Sequence, residues 1–135
     1  MNFEGIYTPA ITPHGPDGQI DKAAFAAVLE SLIEAKVHGI IIGGSTGEYY
    51  AQTAQERIDL ASYARQVLAN RIPLIVGTGA TRTEDSVAYA TAAKEIGADA
   101  ILVTSPPYAL PTEKENAIHA LTVDRAANLP IMLYN

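Results

Sequence analysis

Cysteine is absent from this 135-residue chain. Its absence excludes disulfides, thiolate nucleophiles and Cys-ligated metals. It also fits a reducing compartment, so a cytoplasmic location is expected. Basic residues are scarce: Lys and Arg number 9 against 15 Asp and Glu, for a net charge of −6. No basic run occurs anywhere, which argues against a nucleic-acid partner; the acidity is read as serving solubility. No apolar run approaches the roughly 20 residues of a membrane helix, so no membrane partner is expected. The opening stretch MNFEGIYTPA lacks the basic region and long apolar core of a signal peptide. The 3 histidines, His14, His38 and His119, are too scattered for a zinc set, and no H-x-x-x-H is present. Neither a metal nor a cofactor is expected.

What is present is a rhythm. Short apolar runs rich in Ile, Val and Leu (GIYTPAI, GIIIGG, IPLIVGTG, ADAILVTSPP, LPIMLYN) alternate with Ala-rich stretches at 21–36, 53–70, 83–96 and 112–127. The apolar runs do not alternate with polar residues, the pattern of strands buried on both faces. The Ala-rich stretches carry helix signals. Asp21 is placed to cap the first, where Phe25, Val28, Leu29, Leu32 and Ile33 share a face. Thr53 with Glu56, and Thr112 with Glu115, have capping-box spacing, and Thr83 is placed to cap the third helix. Strand starts near Ile6, Ile40, Leu74, Ala100 and Ile131 are spaced by roughly 30 residues, the size of a βα unit.

Four βα units and a fifth strand predict an α/β fold with a parallel sheet and helical crossovers. A doubly wound sheet is disfavoured, because the first strand runs into TPAITPHGPDG with no G-x-G-x-x-G. The alternative is the N-terminal half of a (β/α)₈ barrel, a fold that takes about 250 residues when complete. No linker or low-complexity segment breaks the rhythm, so residues 1–135 are expected to form a single partial-barrel domain.

In such folds, functional groups gather where strands end. The second strand delivers Gly43, Gly44, Ser45, Thr46, Gly47 and Glu48. The hydroxyls of Ser45 and Thr46 and nearby N–H groups can surround a small carboxylate, with glycines allowing close approach. The same hydroxyls can instead satisfy local backbone in a strand-to-helix turn, and spacing alone favours that reading. Gly77, Thr78 and Gly79 end the third strand, and Thr104 and Ser105 the fourth. Tyr134 and Asn135 end the fifth. A buried Tyr134 needs a partner, and Ser45 is a candidate for a proton-relaying contact; a core plug is the alternative. Tyr49, Tyr50 and Tyr108 are candidates for the same rim, whereas Tyr63 and Tyr89 read as packing residues. Glu48 is expected to accept backbone N–H bonds rather than to act as an acid or base.

GGSTGE resembles the G-[ST]-T-G-E signature of the dihydrodipicolinate synthase and N-acetylneuraminate lyase family. GIYTPAITPHGPDGQID, VGTGATRT, SPPYALPT and LPIMLYN are similar, in order, to that family's first, third, fourth and fifth strand regions. The resemblance implies a barrel enzyme that forms an imine between a lysine and a 2-oxo acid such as pyruvate. It implies that Ser45 and Thr46, flanked by Gly44 and Gly47, bind the carboxylate. Ser45 would also relay protons, and Tyr134 would act as general acid–base. Tyr108 matches the second tyrosine of a P-Y-Y loop that often reaches a neighbouring subunit, so the resemblance implies a catalytic part for Tyr108 and a homo-oligomer. Pro107 stands where the first tyrosine of that pair would be, a departure that bears on the loop. The imine-forming lysine of the family lies past Asn135. Lys22, Lys36, Lys94 and Lys114 are all expected in helices on the outer surface, so the chain alone is expected to be inactive. A second, non-enzymatic reading is a half-barrel that self-associates or complements another half through its open sheet edges.

Overall fold

In the computed structural model, which describes residues 3–134, the apolar runs are strands and the Ala-rich stretches are helices. The strands are β1 (Tyr7–Pro9), β2 (Gly39–Ile42), β3 (Leu74–Gly77), β4 (Ala100–Thr104) and β5 (Ile131–Tyr134). The helices are α1 (Lys22–Glu34), α2 (Ala54–Leu68), α3 (Thr83–Ile96) and α4 (Glu113–Ala127). Every strand pair is parallel, and the sheet order is β1-β2-β3-β4-β5. The order never reverses, so there is no switch point of the doubly wound kind. Successive βα units laid side by side are the arrangement of a (β/α)₈ barrel, here as a half-barrel.

Local chemistry starts three of the four helices as expected. Asp21 accepts a bond from the Ala24 N–H at 2.9 Å. Thr53 and Glu56 exchange bonds in a capping box, as do Thr112 and Glu115. The bonds donated by Thr53 and Thr112, backbone N–H first, hold the Glu56 and Glu115 carboxyls below the usual carboxylate range. The third helix departs from expectation. Its N-cap is Arg82, which makes no side-chain capping bond, and Thr83 is already helical. The Thr83 hydroxyl is instead 3.0 Å from Nδ1 of His119 on α4. His119 is buried between α3 and α4, and that burial pushes its pKa down.

The period-2 geometry of strands divides the apolar residues between two faces. Ile40, Ile42, Leu74, Val76, Ile101 and Val103 face the helices and pack with Phe25, Leu29, Leu60, Leu68 and Val123. Their sequence neighbours Ile41, Ile75, Ala100 and Leu102 face the concave side, packed with Phe3, Tyr7 and Met132. β2 and β3 are buried along their whole length, as their composition predicts. β5 is not: Leu133 and Tyr134 are 66% and 61% exposed. The reason is topological, since β5 pairs with β4 alone among the described residues. Asn135 lies outside the described residues.

The end of the sheet opposite the rim is tied by polar contacts. Arg65 of α2 donates to the Gly97 carbonyl and to the Asp99 carboxylate, both at 3.1 Å. Asp99 in turn accepts the Leu74 N–H at 2.8 Å. Just before β1 and β2, His38 accepts the Ile6 N–H on Nδ1 at 2.8 Å while its backbone N–H donates to the Ile6 carbonyl at 2.7 Å.

Candidate active site

The C-terminal ends of all five strands surround one cleft of about 470 Å³. Strand alternation explains its floor, because Pro9 of β1, Ile41 of β2, Leu102 of β4 and Met132 of β5 project to the concave face. Polar groups ring this floor: Ser45, Thr46, Tyr49, Thr104, Ser105 and Tyr134. An apolar floor with a few convergent polar groups suits a small organic ligand.

Ser45, Thr46 and Gly47 form a single 3₁₀ turn directly after β2. Gly43 enters it with φ +67°, a conformation that favours glycine. The turn's internal bonds begin with the Gly47 N–H to the Gly44 carbonyl at 3.0 Å, so the N–H groups of Ser45 and Thr46 precede them. Both side chains are exposed to the cleft. Gly44 lines the cleft too, whereas buried Gly47 does not. The turn is pinned from behind. The buried Thr12 hydroxyl donates to the Gly47 carbonyl at 2.9 Å, and the Gln52 amide donates to the same carbonyl at 3.0 Å.

Glu48 has a different part from the one expected. It is exposed, with φ +55°, and among the described residues its carboxylate accepts no hydrogen bond. Its backbone supplies the order instead: its N–H donates to Ser45 and its carbonyl accepts from Ala51. The side chains that hold the turn are Thr12 and Gln52, and they do so by donating to a carbonyl rather than by accepting N–H bonds.

Tyr134 lines the same cleft as Ser45, and its backbone lies opposite Thr104 in the β4–β5 ladder. It is not the buried tyrosine that its apolar strand suggested, and no hydrogen bond joins it to Ser45. Tyr108 is 99% exposed, has φ +72°, and does not line the cleft. Its predecessor Pro107 does. Tyr49 contributes to the cleft wall, whereas Tyr50 is 69% exposed and outside it.

None of the four lysines lines the cleft, and all four are exposed. Lys22, Lys94 and Lys114 are helical as expected, but Lys36 lies just past the α1 cap with φ +57°. Among the described residues, no group of three or more His, Cys, Asp or Glu is arranged to hold a metal. No described helix is long and apolar enough to cross a membrane.

Sequence reasoning missed Arg57. It is 8% exposed, and its two terminal nitrogens donate to the Gly79 and Gly77 carbonyls at 2.8 and 3.0 Å. The signal was available. Arg57 shares the helical spacing of Leu60, Ala61, Ala64 and Leu68, so a cation stands on the buried stripe of α2.

The comparisons with known proteins agree with this geometry. The profile of the dihydrodipicolinate synthetase family matches residues 2–135. The 4-hydroxy-tetrahydrodipicolinate synthase of Salinibacter ruber is 39% identical over 135 residues, all of this chain and 45% of that relative. The chain thus spans about half the length of the curated relatives it matches. Among solved structures, a prophage protein of the dihydrodipicolinic acid synthase family from E. coli K12, in complex with pyruvate, superposes with a TM-score of 0.95. It is 36% identical, over 100% of this chain and 45% of that one. The N-acetylneuraminate lyase of Mycoplasma synoviae superposes with a TM-score of 0.91 at 30% identity, over 99% and 48%. A matching family profile along nearly the whole chain, together with the half-barrel and its GGSTGE turn, places this chain in the dihydrodipicolinate synthetase family.

Proposed function

We propose that residues 1–135 are one partial-barrel domain of a cytoplasmic, Schiff-base-dependent lyase or aldolase acting on pyruvate or a related 2-oxo acid. The observation that carries this reading is convergence. Ser45 and Thr46 after β2, and Tyr134 at the end of β5, share one cleft with an apolar floor. The Ser45 and Thr46 hydroxyls and the N–H groups opening their turn would hold the carboxylate, with Gly44 and Gly47 shaping the backbone around it. The Tyr134 hydroxyl, facing the same space, would move a proton at the reacting centre, with Ser45 as the relay. An apolar floor strengthens each of these polar contacts by excluding water. Tyr108, exposed on its loop, would serve a neighbouring subunit of a homo-oligomer.

The nucleophile is the group this chain does not supply. An imine-forming lysine must be uncharged, which calls for a dry pocket to lower its pKa. Four exposed lysines away from the cleft do not meet that condition. We therefore expect the 135-residue chain, treated with pyruvate and borohydride, to show an unchanged intact mass. An adduct on Lys22, Lys36, Lys94 or Lys114 would contradict this assignment.

A second reading is favoured by the exposed apolar residues at the sheet edges. Ile6 beside β1 and Leu133 on β5 are 64% and 66% exposed, and Ile118 and Leu121 of α4 add 55% and 52%. Each edge strand pairs on one side only among the described residues. In this reading the half-barrel is non-catalytic and covers its edges with a second copy or a complementing half. Sedimentation of the chain is then expected to show a species heavier than 14.3 kDa. A concentration-independent monomer would count against it.

A further inference from the structure

Arg57 is out of place for a cation. Helix α2 presents it on the face that buries Leu60, Ala61, Ala64 and Leu68. Buried arginines normally pair with a carboxylate, yet no ion pair to Arg57 occurs among the described residues. The guanidinium is satisfied by main-chain carbonyls and rings instead. It bridges Gly77 and Gly79, and its carbon lies 3.7 Å from the Tyr89 ring centre and 4.9 Å from that of Tyr49. A planar fork can span two carbonyls while stacking on aromatic faces, and an ammonium cannot do both.

The two carbonyls are not arbitrary. Gly77 ends β3 and is packed so tightly on Gly43 that a Cβ at either residue would meet the backbone of the other. Gly43 begins the turn that carries Ser45 and Thr46. Tyr49, the second ring beside the guanidinium, is part of the cleft wall. Arg57 lies behind this rim, in a small cavity that shares Gly43 and Gly77 with the cleft. Burial pulls its pKa below the ordinary arginine value.

We propose that Arg57 is a positioning residue for the Ser45–Thr46 turn: its fork holds the β3 rim against Gly43, and its stacking holds Tyr49 at the cleft wall. It also sets an unpaired positive charge behind a site that, in the function proposed above, receives a carboxylate; that part of the inference rests on that reading. Arg57 touches no substrate atom in this scheme and acts through the backbone.

The test is Arg57→Lys in the full 135-residue chain, compared by amide hydrogen exchange without ligand and then by pyruvate titration. Lysine keeps the charge and loses the bridging fork. The reporters are the N–H groups of Gly47, Glu48 and Thr78, each hydrogen-bonded at the rim. The controls are Ile40 and Ile101, bonded at the far end of the sheet. The variant is expected to exchange about tenfold faster or more at the reporters with the controls unchanged, the mark of a local opening. Unchanged reporters would overturn the proposal. Equal acceleration of reporters and controls would also overturn it, because Arg57 would then be a general core residue. With pyruvate, the variant is expected to bind about tenfold more weakly or worse, in keeping with a lost preorganised geometry. Affinity equal to the parent would overturn the claim that the held turn preorganises the carboxylate site. Absence of pyruvate binding by the parent chain would refute the carboxylate reading, and the exchange result would still decide the positioning role.

Discussion

Replacing Phe25 with alanine is expected to lower the unfolding free energy by about 3–5 kcal/mol, the range for deleting a fully buried aromatic ring. Phe25 is 0% exposed and sits in the convex layer between α1 and the sheet. The loss has two parts. Ring surface is no longer removed from water, and the neighbours Leu29, Ile40 and Leu74 cannot close the void, because each is itself fully buried and constrained. Domains of this size are stable by only about 5–15 kcal/mol, and this half-barrel exposes apolar residues at both edges. Such a loss therefore takes a large share of the total. Urea unfolding followed by circular dichroism checks it: the midpoint should fall strongly with little change in slope. A midpoint shift worth less than about 1 kcal/mol would mean that the α1–sheet layer is loosely packed.

The second large effect is expected at Gly77. A Cβ added there would run into the Gly43 carbonyl and crowd the Gly44 nitrogen. Both obstacles are backbone, so no side chain can swing away. Gly77→Ala must therefore separate the ends of β2 and β3, a strain at or above the roughly 1–3 kcal/mol typical of overpacking. The same movement would shift the Ser45–Thr46 turn. We expect a lower urea midpoint together with loss of pyruvate-induced shifts at the amides of Gly44–Gly47. Parent-like stability and parent-like shifts would show that the two rims need not touch. Gly97 is a useful comparison, since a Cβ there meets nothing within 4 Å and its constraint is φ +81° alone. Its alanine variant should affect stability through backbone strain while leaving the cleft intact.

Much of the architecture was legible because it is written in short-range chemistry. Capping boxes at Thr53–Glu56 and Thr112–Glu115 close within three residues, and β2 and β3 announce burial by unbroken apolar runs. The failures share a cause. Thr83 looked like a cap because hydroxyls before helices usually are, but a buried histidine 36 residues away takes its hydroxyl. Tyr134 looked buried because its strand is apolar, but exposure depends on strand neighbours, and β5 pairs with β4 alone among the described residues. Glu48 looked like an anchor because it is the acid in a Gly-rich turn; Thr12, 35 residues from Gly47, holds the turn instead by donating to the Gly47 carbonyl, with the nearby Gln52 beside it.

The sequence by itself determined the order of strands and helices, the rim positions of Ser45, Thr46 and Tyr134, and the motifs that mark the family. These follow from periodicity, capping and turn chemistry, each decided within a few neighbouring residues. Only the tertiary structure decided which rim groups share a cleft, that Tyr108 stands outside it, and that Arg57 is sealed behind it against two carbonyls and two rings. Those outcomes depend on contacts between segments some 20 to 40 residues apart. Burial and hydrogen-bond partners at such separations are set by how whole elements pack, a cooperative property that no local stretch of residues carries.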